Sequence, residues 1–318
     1  MDTSYLDGWD ADLVLHLLNI HWNRQHHNLL LVYRPAFMRD MVCGGPYYSK
    51  LLLNSLLFAA AKFSPRLDIR KEPDEPSTAG WQFLARVKQL LGEAMDNSTI
   101  PTIQALITVA SSLFAIGDER SASWLYSGTA FRMIVDLGLH IDGADLVKQQ
   151  RISIEDLEIR RRVFWGAFVF DKIHSMYQGR PVTLQERDMQ VPVEFLDDFE
   201  ELELWVPLEN LNYTNSQYPL PKHPGGPTHS VSTFAAFCRL SIIMNRTINV
   251  VYAEKAFQQD EQTSAGGDSH MLEALHSLGE DLSNWWDELQ PWLKYEPWTT
   301  ATPISSKYTP CPTILSLQ

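Results

Sequence analysis

Residues 121–142 read SASWLYSGTAFRMIVDLGLHID, and residues 155–192 read EDLEIRRRVFWGAFVFDKIHSMYQGRPVTLQERDMQVP. In the first stretch Trp124, Gly128, Phe131 and Val135 recur at helical spacing. The small residues around them (Ser121, Ala122, Ser123, Ser127, Ala130) let a neighbouring helix approach closely, and Gly138 suits the residue after the last turn. The second stretch follows Ser153-x-x-Asp156, a capping-box pattern. Val163, Phe164, Ala167, Phe168, Phe170, Ile173, Met176 and Tyr177 cover most of its circumference, which predicts a buried helix. Arg160, Arg161 and Arg162 open that helix, and Gly179-Arg180-Pro181 ends it. Asp171 lies inside the apolar run, where an unpaired carboxylate is costly. An ion pair with Arg180, or with an arginine of the Arg160–Arg162 run, is therefore expected, bracing the loop to the helix.

The same period extends in both directions. Leu13, Val14, Leu17, Leu18 and Ile20 make an apolar face behind Asp10, a plausible N-cap. The segment from His26 to Phe37 reads as an extended linker or as a turn into a short helix, interrupted by Pro35. Residues 49–63 are apolar almost all round, and residues 78–95 carry a mixed stripe. Pro101 opens a helix whose Ile103, Leu106, Ile107, Ala110, Leu113 and Phe114 form a clean face. The short break at Gly117-Asp118 makes it an antiparallel neighbour of the helix after it. Residues 202–230 are rich in proline and read as a surface loop. A long apolar helix is expected at 231–257. Met271, Leu275, Leu278, Leu282, Trp285 and Leu289 then form a packing seam that Pro291 ends. No segment reads as a sheet strand. The expected fold is all-α: stacked antiparallel helical hairpins in one domain over residues 9–292, with an irregular tail at 293–318.

Composition narrows the function. The 318 residues are 45% hydrophobic, which suits a sizeable core, and the formal net charge of −13 is the wrong sign for covering phosphates. Direct nucleic-acid binding by this chain is not expected. Three scattered cysteines (Cys43, Cys238 and Cys311) fit a reducing compartment and give no zinc-ligand spacing. The acidic start MDTSYLDGWDAD has no apolar signal core, and the run Leu51–Ala61 is too short to span a bilayer, so an intracellular protein away from membranes is expected.

Taken together, these stretches resemble the middle homology (regulatory) domain of fungal zinc-cluster transcription factors. The motifs are Arg132, Asp136 to His140 (DLGLH), Arg160-Arg161-Arg162 before Phe164-Trp165, Asp171, Gly179-Arg180-Pro181, Asp188 and Val191-Pro192. The opening DLVLHLLNIHWNRQHHNLLLVYRPAFMRDM, with GGPYYSKLLLNSLLFAAAKFS, resembles the nitrogen-assimilation-type subgroup. The resemblance implies a nuclear regulator of transcription that binds DNA through two zinc ions held by six cysteines and dimerises through a coiled coil. It also implies as partners the transcription machinery or regulatory proteins, or a small-molecule effector. No residue of this chain matches the zinc cluster, so zinc and DNA binding carry over to none of them. Residues 311–318 read as the start of a further helix cut short. These motif residues are expected to be structural, with no catalytic, cofactor or metal role.

The same residues bear on other chemistries. Arg160–Arg162 could serve as a nuclear-localisation or phosphate patch, although basics on an otherwise apolar helix more often make structural contacts. Asp197-Asp198-Phe199-Glu200-Glu201 matches the DDxxE of all-α prenyl-diphosphate enzymes, but the second metal motif those enzymes need is missing, and a solvated acidic loop is the plainer reading. No HExxH, phosphate-binding glycine loop or GxSxG elbow is present. A helical interaction scaffold that never meets DNA is the alternative to the regulatory reading.

Overall fold

The computed structural model describes residues 4–117, 120–207, 225–257 and 267–294. Ten α-helices run through these residues in the order α1 (Ala11–Arg24), α2 (Arg34–Cys43), α3 (Lys50–Ala61), α4 (Trp81–Ala94), α5 (Ile100–Ile116), α6 (Arg120–Asp136), α7 (Ala144–Lys148), α8 (Ile154–Gln178), α9 (Ser230–Phe257) and α10 (Gly267–Glu288). The fold is all-α, as the periodicity predicts. Two residues each of β1 (Leu204–Trp205) and β2 (Gly226–Pro227) pair antiparallel and form a small clasp that the sequence does not announce.

Local signals start and stop the helices. Asp10, Ser49 and Thr99 each accept a hydrogen bond from the first turn of α1, α3 and α5. Ser153 and Asp156 complete a reciprocal capping box on α8. Gly117 and Gly179 end α5 and α8 in the left-handed conformation that a Cβ would penalise. Pro35 does not interrupt its segment. It sits in the first turn of α2, where its missing N–H leaves no bond unmade.

Helix α3 is buried from Leu51 to Ala61 and packs against α1, α4 and α5. Helices α5 and α6 form the expected hairpin, and α5 and α6 also touch α8. Helix α9 packs against α8 on one side and α10 on the other. One continuous apolar core runs from Leu6 to Cys238, and a small second cluster joins Ala236, Leu289 and Leu293. Ser230–Val251 of α9 is long and apolar enough to cross a bilayer. Within that stretch Phe234 and Cys238 are buried in the main core. Residues 208–224 of the proline-rich span, Asp118 and the tail beyond 294 lie outside the described residues.

Candidate functional site

Helix α8 positions the charged residues. Its 25 residues make a rod about 37 Å long at ~1.5 Å per residue. The segment following Gly179 runs back beside it toward α9. Three arginines in a row leave a helix about 100° apart, so each meets a different neighbour. Arg160 Nη2 donates to the Leu137 carbonyl at 3.0 Å and so caps the end of α6. Arg161 grips both carboxylate oxygens of Asp142 at 3.1 and 3.2 Å and reaches the Glu194 carbonyl at 3.1 Å. Arg162 is fully buried. Its Nε donates to Glu158 and its Nη1 to Glu200, each at 2.6 Å, and its Nη2 donates to the Asp197 carbonyl at 3.1 Å.

Glu200 is equally buried and accepts a second bond, from His26 Nε2 at 2.5 Å. Burial would push the Glu200 carboxyl up, but the charges and hydrogen bonds of His26 and Arg162 outweigh it and hold the group below the usual carboxylate range. Burial likewise opposes the Arg162 charge, and Glu200 and Glu158 outweigh it. Beside this seam His27 Nδ1 meets the Ser230 hydroxyl at 2.8 Å, at the start of α9. Burial, then the neighbouring His26, pull the His27 pKa down to about 3, so its ring is neutral at pH 7. Glu201 accepts from the backbone N–H groups of Val231 and Ser232 at 3.1 and 2.9 Å. The acidic run is therefore solvated only in part, at Asp198 and Phe199. Tyr33 donates to Asp197, Glu200 closes the seam, and Glu201 caps α9.

Asp171 has a different partner from the one its surroundings suggest. It accepts from Lys172 Nζ at 2.8 Å and from the backbone N–H groups of Thr183 and Leu184 at 3.0 and 2.9 Å. The Arg160–Arg162 run lies roughly 14–17 Å away along the helix, and the Arg180 guanidinium lies over the Trp124 ring, 4.5 Å from its centroid. Lys172 also donates to the Leu184 carbonyl, and burial lowers its pKa although Asp171 opposes the shift. The brace from helix to loop exists, but Asp171 makes it to the backbone N–H groups of Thr183 and Leu184, with Lys172 as its counter-charge.

The remaining motif residues do not converge on this seam. Trp165, fully buried, donates to the Pro192 carbonyl at 3.0 Å. The Ser175 hydroxyl donates to the Pro181 carbonyl at 3.3 Å. The His140 carbonyl accepts from Gln190 N–H at 2.9 Å. Arg132 and Asp136 are exposed and line a groove with Trp124, Phe131 and Leu184. Asp188 is exposed, 3.8 Å from Arg187. Among the described residues, no group of three or more His, Cys, Asp or Glu side chains is placed to hold a metal ion. The six-cysteine cluster implied by the resemblance finds no ligand set in a chain with three cysteines.

Residues 18–287 match the fungal specific transcription factor domain. The chain belongs to this family. It is 31% identical over 236 residues to the nitrogen assimilation transcription factor nirA of Emericella nidulans, covering 73% of the chain and 26% of that protein. It is 31% identical over 217 residues to the nitrogen assimilation transcription factor nit-4 of Neurospora crassa, covering 65% and 19%. An uncharacterized transcriptional regulatory protein of Schizosaccharomyces pombe is 35% identical over 187 residues, covering 57% and 28%. The chain thus spans about a quarter of the length of these three relatives. No solved structure matches it.

Within this fungal transcription factor domain, the residues that the motifs pass over are Glu158, Lys172, Glu200, His26 and His27. Glu158 carries a readable signal, because it stands one turn before Arg162. The partners of Glu200 are distant in sequence, and no local pattern announces them.

Proposed function

We propose that this domain acts in the nucleus as the regulatory part of a fungal zinc-cluster transcription factor, without catalysis and without a cofactor of its own. DNA contact is left to a zinc cluster, as the resemblance implies, and the domain's part is to change transcriptional output in response to regulatory proteins, the transcription machinery or a small effector. The match of residues 18–287 to the family carries this reading. The net charge of −13 supports it by disfavouring phosphate contact by the chain itself. The buried seam suits such a part: it ties the turn after α1, the middle of α8 and the start of α9 through charged groups, which hold one arrangement strictly and tolerate intermediate ones poorly.

The test is a reporter assay in a fungal host. The chain is fused to a heterologous DNA-binding and activating protein and compared with that protein alone at matched abundance. An output changed several-fold by the chain, and changed again by Glu200→Gln, is expected. Equal output with and without the chain would overturn the reading.

A further inference from the structure

The outer face of α6 and the segment at 180–184 bound an open groove of about 570 Å³. Trp124, Gly128, Phe131 and Val135 line it at i, i+4, i+7 and i+11, one face of the helix about 16 Å long at ~1.5 Å per residue. Val135 is 54% exposed there, and a Cβ on Gly128 would meet nothing within 4 Å. Arg132 stands exposed on the rim. Arg180 lies over the Trp124 ring with its Nη1 buried and without a hydrogen-bond partner. Among the described residues, no carboxylate pairs with either arginine. In a chain of net charge −13, two guanidiniums without carboxylates beside an apolar floor call for a particular occupant. It is apolar on one face and acidic beside it.

Helix α10 is such an element. Its residues include six carboxylates (Asp268, Glu273, Glu280, Asp281, Asp287 and Glu288) and no lysine or arginine. It packs against α9 with Leu278 and Leu289 buried, and Asp281 pairs with Arg246 of α9 at 3.2 Å. Leu272, Leu275, Gly279 and Leu282 fall at i, i+3, i+7 and i+10 on a neighbouring stripe. The leucines of that stripe are 41–67% exposed, and a Cβ on Gly279 would meet nothing within 4 Å. Glu273, Glu280 and Asp287, all exposed, follow its edge at seven-residue intervals, about 10 Å apart.

We propose that α10 of one copy of this chain seats in the α6 groove of a second copy. The leucine stripe, about 15 Å from Leu272 to Leu282, covers the apolar floor, and the acidic edge faces Arg132 and Arg180. Trp124, which carries Arg180, stands eight residues before Arg132 on α6. That spacing is about 12 Å, close to the period of the carboxylates. Gly128 in the groove and Gly279 in the stripe leave room for the two helices to approach closely, a role that nothing inside the chain gives them. Asp136, at the far end of the groove, turns the acidic edge toward Trp124 and Arg132. The contact joins unlike faces and is heterologous: each copy offers one groove and one α10. One helix in so short a groove buries less than about 1,200 Å² in total, the range of weak encounters, so association is expected only at tens to hundreds of micromolar chain. It is separate from any coiled coil and does not depend on the regulatory reading.

The experiment follows the mass of the purified chain by sedimentation equilibrium, from low micromolar to several hundred micromolar. The wild-type mass is expected to rise from one chain toward two and beyond. Arg132→Glu in the groove and Glu280→Lys on α10 should each stay monomeric alone. Their equimolar mixture should form a dimer and nothing larger, because the intact groove of one variant meets the intact α10 of the other. Gly128→Leu fills the groove without changing charge; the open space over Gly128 lets the monomer keep its Tm, and the rise in mass should vanish. Should that variant unfold, the two charge variants and their mixture decide. A wild type that stays monomeric at the highest concentration would overturn the proposal. Association that persists in either charge variant or in folded Gly128→Leu would do the same, as would a mixture of the charge variants that stays monomeric.

Discussion

Arg162 on α8 and Glu200 in the acidic turn before α9 meet at 2.6 Å with neither side chain exposed to solvent. A single buried pair of this kind gains little, because desolvation of two charges offsets their attraction. Here the pair does not stand alone. Glu158 takes the guanidinium Nε, the Asp197 carbonyl takes Nη2, and His26 donates to the other oxygen of Glu200. Every element of the seam has a partner, so the cost falls on whichever change removes one.

Arg162→Met removes the one arginine shared by two buried carboxylates and is expected to cost about 3–5 kcal/mol. Chemical denaturation would show it as a lower urea midpoint with an unchanged slope. Arg162→Lys keeps a charge but not the three-way fork and should fall between the two. Lys148→Ala, which breaks an exposed pair with Asp145, serves as the control and should leave the midpoint in place. A wild-type midpoint for Arg162→Met would mean that the seam holds nothing.

Asp171→Asn leaves the Lys172 ammonium buried without its counter-charge and weakens the acceptor for Thr183 and Leu184 N–H. A loss of about 2–4 kcal/mol is expected. Arg180→Ala removes a guanidinium lying over Trp124 and should cost about 1 kcal/mol or less. The ranking is the measurement that matters. Were Arg180→Ala the more damaging of the two, the assignment of Lys172 as the partner of Asp171 would fail.

The helices were legible because their causes are local. Asp10, the Ser153–Asp156 box and Gly179 announce their own ends, and the stripe from Ile103 to Leu113 needs no knowledge of what it packs on. The seam was illegible because its causes are distant. Asp197 to Glu201 read as solvated, since nothing nearby in sequence could neutralise Glu200. Its partners stand 38 and 174 residues away. Lys172 is hard to read for a different reason. Neighbours on a helix point about 100° apart and are discounted as partners, but the lysine stem is long enough to carry Nζ round to Asp171 and the Leu184 carbonyl. The β clasp had no signature, as two-residue strands carry no alternation to detect.

Acid should destabilise the domain well above the ordinary carboxylate range. His27 is buried neutral with its pKa drawn down to about 3, against 6.5 when unfolded. Between those values the unfolded chain binds the extra proton, so stability is full above pH 6.5 and falls as pH drops toward 3. From pH 7 to pH 5 this one group contributes a loss of about 2 kcal/mol by linkage. His27→Gln, which keeps a polar group opposite Ser230, should flatten the fall in Tm across that window by this share. An unaltered pH profile in the variant would show that His27 is not the group responsible.

Glycine to alanine inside a helix ordinarily stabilises, since glycine gives up more backbone freedom on folding, and the gain is about 0.5–1 kcal/mol. Gly92 in α4 should follow that rule, because a Cβ there meets nothing within 4 Å. Gly166 in α8 should reverse it. Its Cβ would stand 2.9 Å from the Leu29 carbonyl and 3.1 Å from Leu31 Cδ1, and the nearer contact is backbone that side-chain rotation cannot relieve. Overpacking of this kind costs about 1–3 kcal/mol, which exceeds the helical gain. The two substitutions are chemically identical, so intrinsic propensity cancels from their comparison. Opposite signs in denaturant midpoint would isolate the contact between α8 and the 26–32 turn; a Gly166→Ala variant as stable as Gly92→Ala would mean the turn is free to move away from α8.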